Sequence, residues 1–321
     1  LIEFGAGMFD ELHIIVSGKE TDVIPLSRRF EWVNAFVYSQ QPVFYDTCTH
    51  YHIDNSPKPV DVDEFGTVQD QEFKDYWVEE LRRIVPDATH ILSSDMYGQG
   101  LAAQMGLKWV PVDPRRETMN ISATDIRNDL FGNFQYISDV VKPSFVKTVA
   151  IVGPESSGKS TMVKDLAEMY GAIGVHEYGR TVSEALGNNL TVDDFNDIVL
   201  GQECLIGSAI HKTKVPVVFI DTEAFATYLY SKIYLGESME NIREHAITSQ
   251  NFDLYLVLLP DIKWVDDGSR MVSDYGARLE FFNETVNFLE SHKRNYVVVS
   301  GLQFSDRLMD AWNAVENLLR R

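Results

Sequence analysis

The sequence predicts an α/β protein of two parallel-sheet domains. Three observations carry that expectation. Strand-like and helix-like stretches alternate along the 321 residues, the second half holds apolar runs of strand length, and one run enters a glycine-rich turn. The length suits about two domains, each large enough to bury a core. Apolar residues make up 45% and charged residues 24% of the chain, which argues against disordered, collagen-like and coiled-coil classes. No apolar run approaches the roughly 18 residues of a membrane span, so no membrane partner is expected.

The elements follow in order. Residues 1–8 read as the end of a helix feeding the strand 12–16. Residues 26–38 have helical apolar spacing, and 43–45 have strand character. Residues 54–66, with Pro57, Pro59 and several acids, predict a loop. A helical pattern over 69–85 stops at Pro86. Strands are expected at 89–92, ending in Ser93-Ser94-Asp95, and at 108–112. Pro143 is the expected seam between domains 1–143 and 144–321. Beyond it, residues 145–152, 172–175, 215–220, 254–259 and 296–299 read as five parallel strands of a doubly wound sheet.

Cys48 and Cys204 are the only cysteines, so a disulfide framework or cysteine zinc site is not expected, and a reducing, cytoplasmic compartment is. The net charge of −20, from 28 basic and 48 acidic side chains, opposes broad nucleic-acid binding. Small anions remain accessible, because a helix N-terminus or local basic pocket suffices for them.

The strongest motif is Gly153-Pro154-Glu155-Ser156-Ser157-Gly158-Lys159-Ser160, which fits G-x-x-x-x-G-K-[ST] and is followed by Thr161. It sits between a strand and a helical stretch, where backbone N–H groups can turn around phosphate oxygens. Lys159 can reach β- and γ-phosphates, and the Ser160 hydroxyl can ligate Mg²⁺. This half is expected to bind ATP or another nucleoside triphosphate. Asp221 closes an apolar strand and can hold Mg²⁺, or cap the helical stretch from Ala224. Glu177 and Arg180, in His-Glu-Tyr-Gly-Arg after the second strand, suit a proton acceptor or ribose ligand and a phosphoryl-stabilising cation; a structural salt bridge is the plainer alternative. Residues 263–270, with Trp264 and Arg270, form a polar stretch whose arginine can close over phosphates. Tyr178 and Gln202 can bind or stack on a base, although core or surface roles are more ordinary.

In the first half, Ser122, Thr124 and Arg127 form S-x-T-x-x-R at a helix start. They can meet phosphate, or Ser122 can simply cap the helix with Arg127 solvated. Asp95 at a strand end is a weaker nucleotide-site candidate. His50 and His52 read as exposed residues of a polar loop rather than metal ligands, since no third ligand accompanies them.

Ser-Ala-Thr-Asp-Ile-Arg ahead of the phosphate loop, then Glu-Tyr-Gly-Arg, Phe-Ile-Asp-Thr and Trp-Val-Asp-Asp-Gly-Ser-Arg, resembles the NadR-type bifunctional enzymes of bacterial NAD synthesis. The resemblance spans essentially the whole chain. It implies a doubly wound, Rossmann-like nicotinamide-mononucleotide adenylyltransferase domain followed by a P-loop ribosylnicotinamide kinase domain. ATP, nicotinamide riboside, nicotinamide mononucleotide and NAD are the implied ligands, with Mg²⁺ as cofactor. Ser122, Thr124 and Arg127 would form the adenylyltransferase's second triphosphate-binding motif, and Trp77 would stack near the pyridine nucleotide. The family's H-x-G-H motif has no match here, so adenylyl transfer is expected to be crippled if nothing precedes Leu1. The helix-turn-helix of some members is also unmatched, so DNA is not an expected partner. The sequence leaves room for a homo-oligomer. A kinase of another nucleoside and a non-catalytic NAD or ATP sensor are the competing expectations.

Overall fold

The computed structural model describes residues 1–40, 48–54, 71–118, 120–187, 189–265 and 272–320. Chain contacts divide the protein into two compact units, Leu1–Asp129 and Leu130–Arg321. The expected strand at 43–45, and all but Asp54 of the expected loop at 54–66, lie outside the described residues.

The first unit runs α1 (Ile2–Met8), β1 (Leu12–Gly18), α2 (Leu26–Ser39), β2 (Cys48–Asp54), α3 (Gln71–Ile84), β3 (His90–Ser93), α4 (Tyr97–Met105), β4 (Lys108–Pro111) and α5 (Ala123–Asn128). Among the described residues its strands form two separate parallel pairs, β1 with β2 and β3 with β4. The expected polar loop at His50-Tyr51-His52 is instead the middle of β2, in register with Ile14, Ile15 and Val16. Its polar residues hid the strand, but Thr, Tyr and Ile at alternate positions suit a pleated surface. Phe30 of α2 covers the pair, its ring centroid 5.2 Å from His50 and 5.1 Å from His52.

The second unit opens with the short α6 (Leu130–Asn133) and two 3₁₀ turns, then β5 (Lys147–Val152), α7 (Lys159–Tyr170), β6 (Ile173–Val175), α8 (Tyr178–Leu186) and α9 (Val192–Lys212). It continues with β7 (Val217–Asp221), α10 (Ala224–Leu235), α11 (Glu240–Thr248), β8 (Leu254–Leu258), α12 (Tyr275–Ser291), β9 (Tyr296–Val299) and α13 (Phe304–Leu319). The five strands form one parallel sheet in the order β6-β7-β5-β8-β9. All residues of β7 and β8 are buried, as continuous apolar runs require when helices cover both faces. On one face Val149, Ile151, Phe219 and Leu256 pack with Met162 and Leu166 of α7 and with Ala311 and Val315 of α13. Burying each such large aliphatic side chain favours folding by about 1.5–3 kcal/mol. Helices α9 and α12 pack on β7 and β8.

The contact boundary falls at Asp129 and Leu130 rather than at Pro143. The intervening residues pack with the second unit: Phe131 lies edge-on to Tyr170 of α7 at 6.2 Å, and the turn Lys142–Phe145 contacts α9. Proline marked a change in local conformation, whereas the unit boundary follows side-chain packing. Among the described residues, no helix is long and apolar enough to cross a membrane.

Candidate functional site

The glycine-rich motif forms the turn between β5 and α7, at the carboxyl edge of the sheet. Gly153 has φ +147°, and a Cβ there would sit 2.8 Å from the Leu258 carbonyl oxygen. Ser156 and Gly158 also take positive φ, of 58° and 91°, which turns successive peptide groups toward one concavity. Lys159 begins α7 and is 7% exposed; its ammonium donates to the Pro154 carbonyl at 3.2 Å and to the Tyr230 hydroxyl at 3.5 Å. Ser160 and Thr161 complete the first turn, and Glu155 to Thr161 line one pocket. The buried Ser157 hydroxyl has no hydrogen-bond partner among the described residues. A positive-φ cradle with a buried lysine and an orphaned hydroxyl fits a polyphosphate.

The same pocket is walled by Glu177, Gly179 and Arg180 after β6, by Thr222 after β7, and by Phe195, Tyr230 and Tyr234. Burial, with further upward contributions from Asp221 and Glu155, raises the Glu177 carboxyl to about 7 against the opposing pull of Lys159 and Arg180. Asp221 is 2% exposed at the end of β7, with the Thr222 hydroxyl 3.3 Å from its carboxylate. Its expected alternative as helix cap passes to Glu223, which accepts from the Phe225 and Ala226 amides at 2.6 and 2.9 Å. The helix starts at Ala224, so the capping position is the residue just before it. Burial also raises Glu223 to about 7, while those amide bonds oppose the shift. Ser160 and Asp221 supply the hydroxyl and carboxylate oxygens that Mg²⁺ prefers.

Gln202 lines the pocket and also ties elements together. Its amide accepts from the Tyr178 N–H at 2.7 Å and donates to the Asp221 carbonyl at 3.3 Å, tying α9 to α8 and β7. Tyr178 opens α8 with its ring against Gly201, where a Cβ would come within 2.1 Å of the ring. Trp264 is partly buried, and the next residue, Val265, donates its N–H to the Ser156 hydroxyl at 2.9 Å. Arg270 lies outside the described residues, as do 266–269.

Two arginines that the motifs did not single out hold the turn from behind. Arg278 of α12 donates to the carbonyls of Glu155 at 3.0 Å and Ser156 at 3.3 Å. Arg307 of α13 donates to the Ser157 carbonyl at 2.9 Å and the Leu259 carbonyl at 3.2 Å, and pairs with Asp261. Both are nearly inaccessible, at 2% and 1%. A signal existed: Arg278 shares a stripe with Phe281, Phe282 and Thr285, and Arg307 with Ala311 and Val315. A cation on the apolar stripe of a helix needs a buried partner.

In the first unit, Ser122 caps α5 in a capping box with Asp125: Oγ accepts from the Asp125 N–H at 3.1 Å, and the Asp125 carboxylate accepts from the Ser122 N–H at 2.8 Å. The Ser122 hydroxyl, donating to the Asp125 carboxylate at 2.6 Å, and then the Ser122 N–H hold that carboxyl below its ordinary value. Arg127 donates to the Thr124 hydroxyl at 3.1 Å. Asp95 follows β3, exposed, 3.8 Å from Arg116, whose guanidinium also donates to the Ile121 carbonyl at 2.9 Å. Trp77 packs in α3 edge-on to Tyr76 at 5.7 Å. Among the described residues, no group of three histidine, cysteine or acidic side chains is placed to hold a metal ion.

A family model described as an AAA domain matches residues 148–307. The trifunctional NAD biosynthesis/regulator protein NadR of Salmonella typhimurium strain LT2 is 36% identical over 224 residues, 67% of this chain and 53% of that protein. NadR of Escherichia coli K12 matches with the same figures. The chain thus spans about half the length of the curated relatives it matches. A crystal structure of NadR in complex with NAD and AMP-PNP superposes with a TM-score of 0.69 at 22% identity, covering 100% of this chain and 91% of that one. A second, of NadR in complex with NR, gives 0.69 at 21%, covering 99% and 91%. At that identity the likeness speaks for the fold, and the closer sequence matches speak for descent. The chain is a homologue of the NadR proteins of NAD biosynthesis.

Proposed function

We propose that residues 130–321 form an ATP-dependent kinase that phosphorylates the 5′-hydroxyl of nicotinamide riboside, giving nicotinamide mononucleotide and ADP. The observation that carries the reading is the convergence of the phosphate turn with Glu177, Arg180 and Thr222 on one pocket. The acceptor is supported by relatives named for NAD biosynthesis and by the fold shared with a NadR protein solved in complex with NR.

In this reading the Lys159 ammonium exchanges the Pro154 carbonyl for the β- and γ-phosphates, while the amides of 155–160 hold the remaining oxygens. The Ser160 hydroxyl and the Asp221 carboxylate would hold Mg²⁺, which when bound offsets charge on the β- and γ-phosphate oxygens. Glu177, raised to about 7, accepts the hydroxyl proton as the acceptor oxygen bonds to the γ-phosphorus and the bond to the ADP oxygen breaks. Arg180 offsets the charge on the phosphoryl group in transit. Arg270 is assigned over the phosphates from its place in the polar, glycine-bearing stretch 263–270, with the family resemblance in support. Tyr178, Gln202 and Trp264 are assigned to the acceptor as side chains able to bind or stack on a base, with Gln202 on the pocket wall and also fixing the backbone of Tyr178. For the first unit we propose adenylyl transfer from ATP to the mononucleotide, with Ser122, Thr124, Arg127 and Asp95 toward the nucleotide and Trp77 toward the pyridine ring.

One incubation of the chain with Mg·ATP and nicotinamide riboside, its products resolved by mass spectrometry, tests both parts. Nicotinamide mononucleotide and ADP are expected, and Lys159→Ala should remove nearly all turnover while circular dichroism is unchanged. Strong preference for thymidine or uridine in a substrate panel overturns the acceptor. NAD binding with no phosphoryl transfer to any nucleoside overturns the kinase in favour of a sensor. NAD among the products supports the first-unit assignment, and its absence when mononucleotide is supplied overturns it for this polypeptide.

A further inference from the structure

Turning the amides of residues 156–158 toward a phosphate obliges the carbonyls of the same peptide units to face the other way. Those carbonyls belong to Glu155, Ser156 and Ser157, because the C=O of one residue and the N–H of the next share one planar peptide group. Buried carbonyls need donors. Here the donors are two guanidinium groups: Arg278 serves the first two carbonyls and Arg307 the third. The arrangement is over-determined. Arg307 is fixed in turn by the Leu259 carbonyl and by Asp261, whose other oxygen accepts the Gly301 N–H at 2.6 Å. Three successive peptide groups thus meet charge-assisted donors on their carbonyl side.

We propose that Arg278 and Arg307 are positioning residues for the nucleotide's β-phosphate, acting through the peptide groups between them and the ligand. A hydrogen bond to a carbonyl from a charged donor polarises its peptide unit and makes the N–H on the opposite edge a stronger donor. The two arginines also clamp the turn in its positive-φ form, so its amides are aimed before the ligand arrives. Their task concerns the phosphate chain and neither the base nor the acceptor. The inference rests on the reading of this turn as a nucleotide phosphate site, and its test uses binding alone.

The experiment is calorimetric titration of the full chain with Mg·ADP and, separately, with AMP, for the unmodified protein, Arg278→Lys, and Arg307→Met paired with Asp261→Asn so that the half-buried carboxylate is not left without its cation. Lysine keeps a charge but cannot serve two carbonyls with one rigid fork. Each variant is expected to bind ADP about tenfold more weakly, as the loss of one charge-assisted bond predicts. AMP affinity should change less than about twofold, and in turnover the ATP KM should rise with the acceptor KM unchanged. Equal losses for ADP and AMP, or none, overturn the inference and leave the arginines as ties between the C-terminal helices and the sheet. If Arg278→Lys does not fold, the paired Arg307 variant gives the same readout. Failure of the unmodified chain to bind ADP overturns the phosphate reading and this inference together, whereas a changed acceptor leaves both standing.

Discussion

Glu177 and Glu223 each lie near 7, well above an ordinary carboxyl, because burial disfavours the charged form. The consequence for stability has a definite sign. A carboxyl raised in the folded state binds its proton more tightly there, so it favours folding most below its unfolded value. That advantage is lost as pH rises through the window from about 4.5 to about 7. Each group therefore contributes a downward slope of at most about 1.4 kcal/mol per pH unit. For Glu223, which caps α10 from a buried position, we expect Glu223→Gln to flatten the fall in melting temperature between pH 5 and 7. Melts at pH 5, 6 and 7 that fall in parallel for both proteins would refute this. For Glu177 the same shift suits a proton acceptor working near neutrality, and the nearby lysine and arginine keep the anion within reach.

At the scale of elements, β5, the turn and α7 form one contiguous device. Its strand is a buried apolar run, its turn needs conformations that glycine adopts at low cost, and its helix begins on the lysine. Gly153→Ala should place a methyl group against the Leu258 carbonyl, at 2.8 Å, while forcing a residue with a Cβ to φ +147°. We expect a destabilisation of more than about 1 kcal/mol and loss of nucleotide binding, measured by urea unfolding and ADP titration. Ordinary stability with intact binding would show that the turn relaxes elsewhere. The element missed in the sequence, β2, shows the opposite situation. Cys-Thr-His-Tyr-His-Ile-Asp lacks the apolar run that marked the second-unit strands, because β2, which among the described residues pairs with β1 alone, has exposed positions. Its local signal is only the alternation of Thr49, Tyr51 and Ile53, and the pairing with β1 completes the strand.

For the whole molecule, the division at Asp129 and Leu130 has a practical consequence. A fragment covering 130–321 should fold and keep the kinase turnover proposed above. A fragment starting at 144 loses Phe131, which packs on Tyr170, and Phe134, which is 1% exposed. Removing a buried aromatic such as Phe134 costs about 3–5 kcal/mol in comparable cores, while Phe131, 40% exposed, adds less. The shorter fragment should therefore melt lower or aggregate, as differential scanning calorimetry of the two would reveal. Equal melting temperatures would restore the seam at Pro143. At the same scale, the net charge of −20 is compatible with a phosphate site because the cations that matter are local and buried. Lys159, Arg278 and Arg307 gather at one turn, where enclosure strengthens their effect over that of distant surface acids.

The sequence by itself determined the α/β class, the five parallel strands of the second unit and the phosphate turn, along with Glu177, Arg180 and Asp221 as candidates beside it. Each is written in neighbouring residues: an apolar run, a glycine at a set spacing, an acid at a strand end. Only the tertiary structure decided which groups Gln202 bonds, that Glu223 rather than Asp221 caps α10, and that two arginines brace the turn. Arg278 and Glu155 lie 123 positions apart, and Arg307 and Ser157 lie 150 apart. Partners so distant are brought together by the sheet's crossovers, and the shifts at Glu177 and Glu223 arise from the burial those crossovers create. Local conformation is set by near neighbours along the chain; burial and long-range pairing exist only once the whole unit has packed.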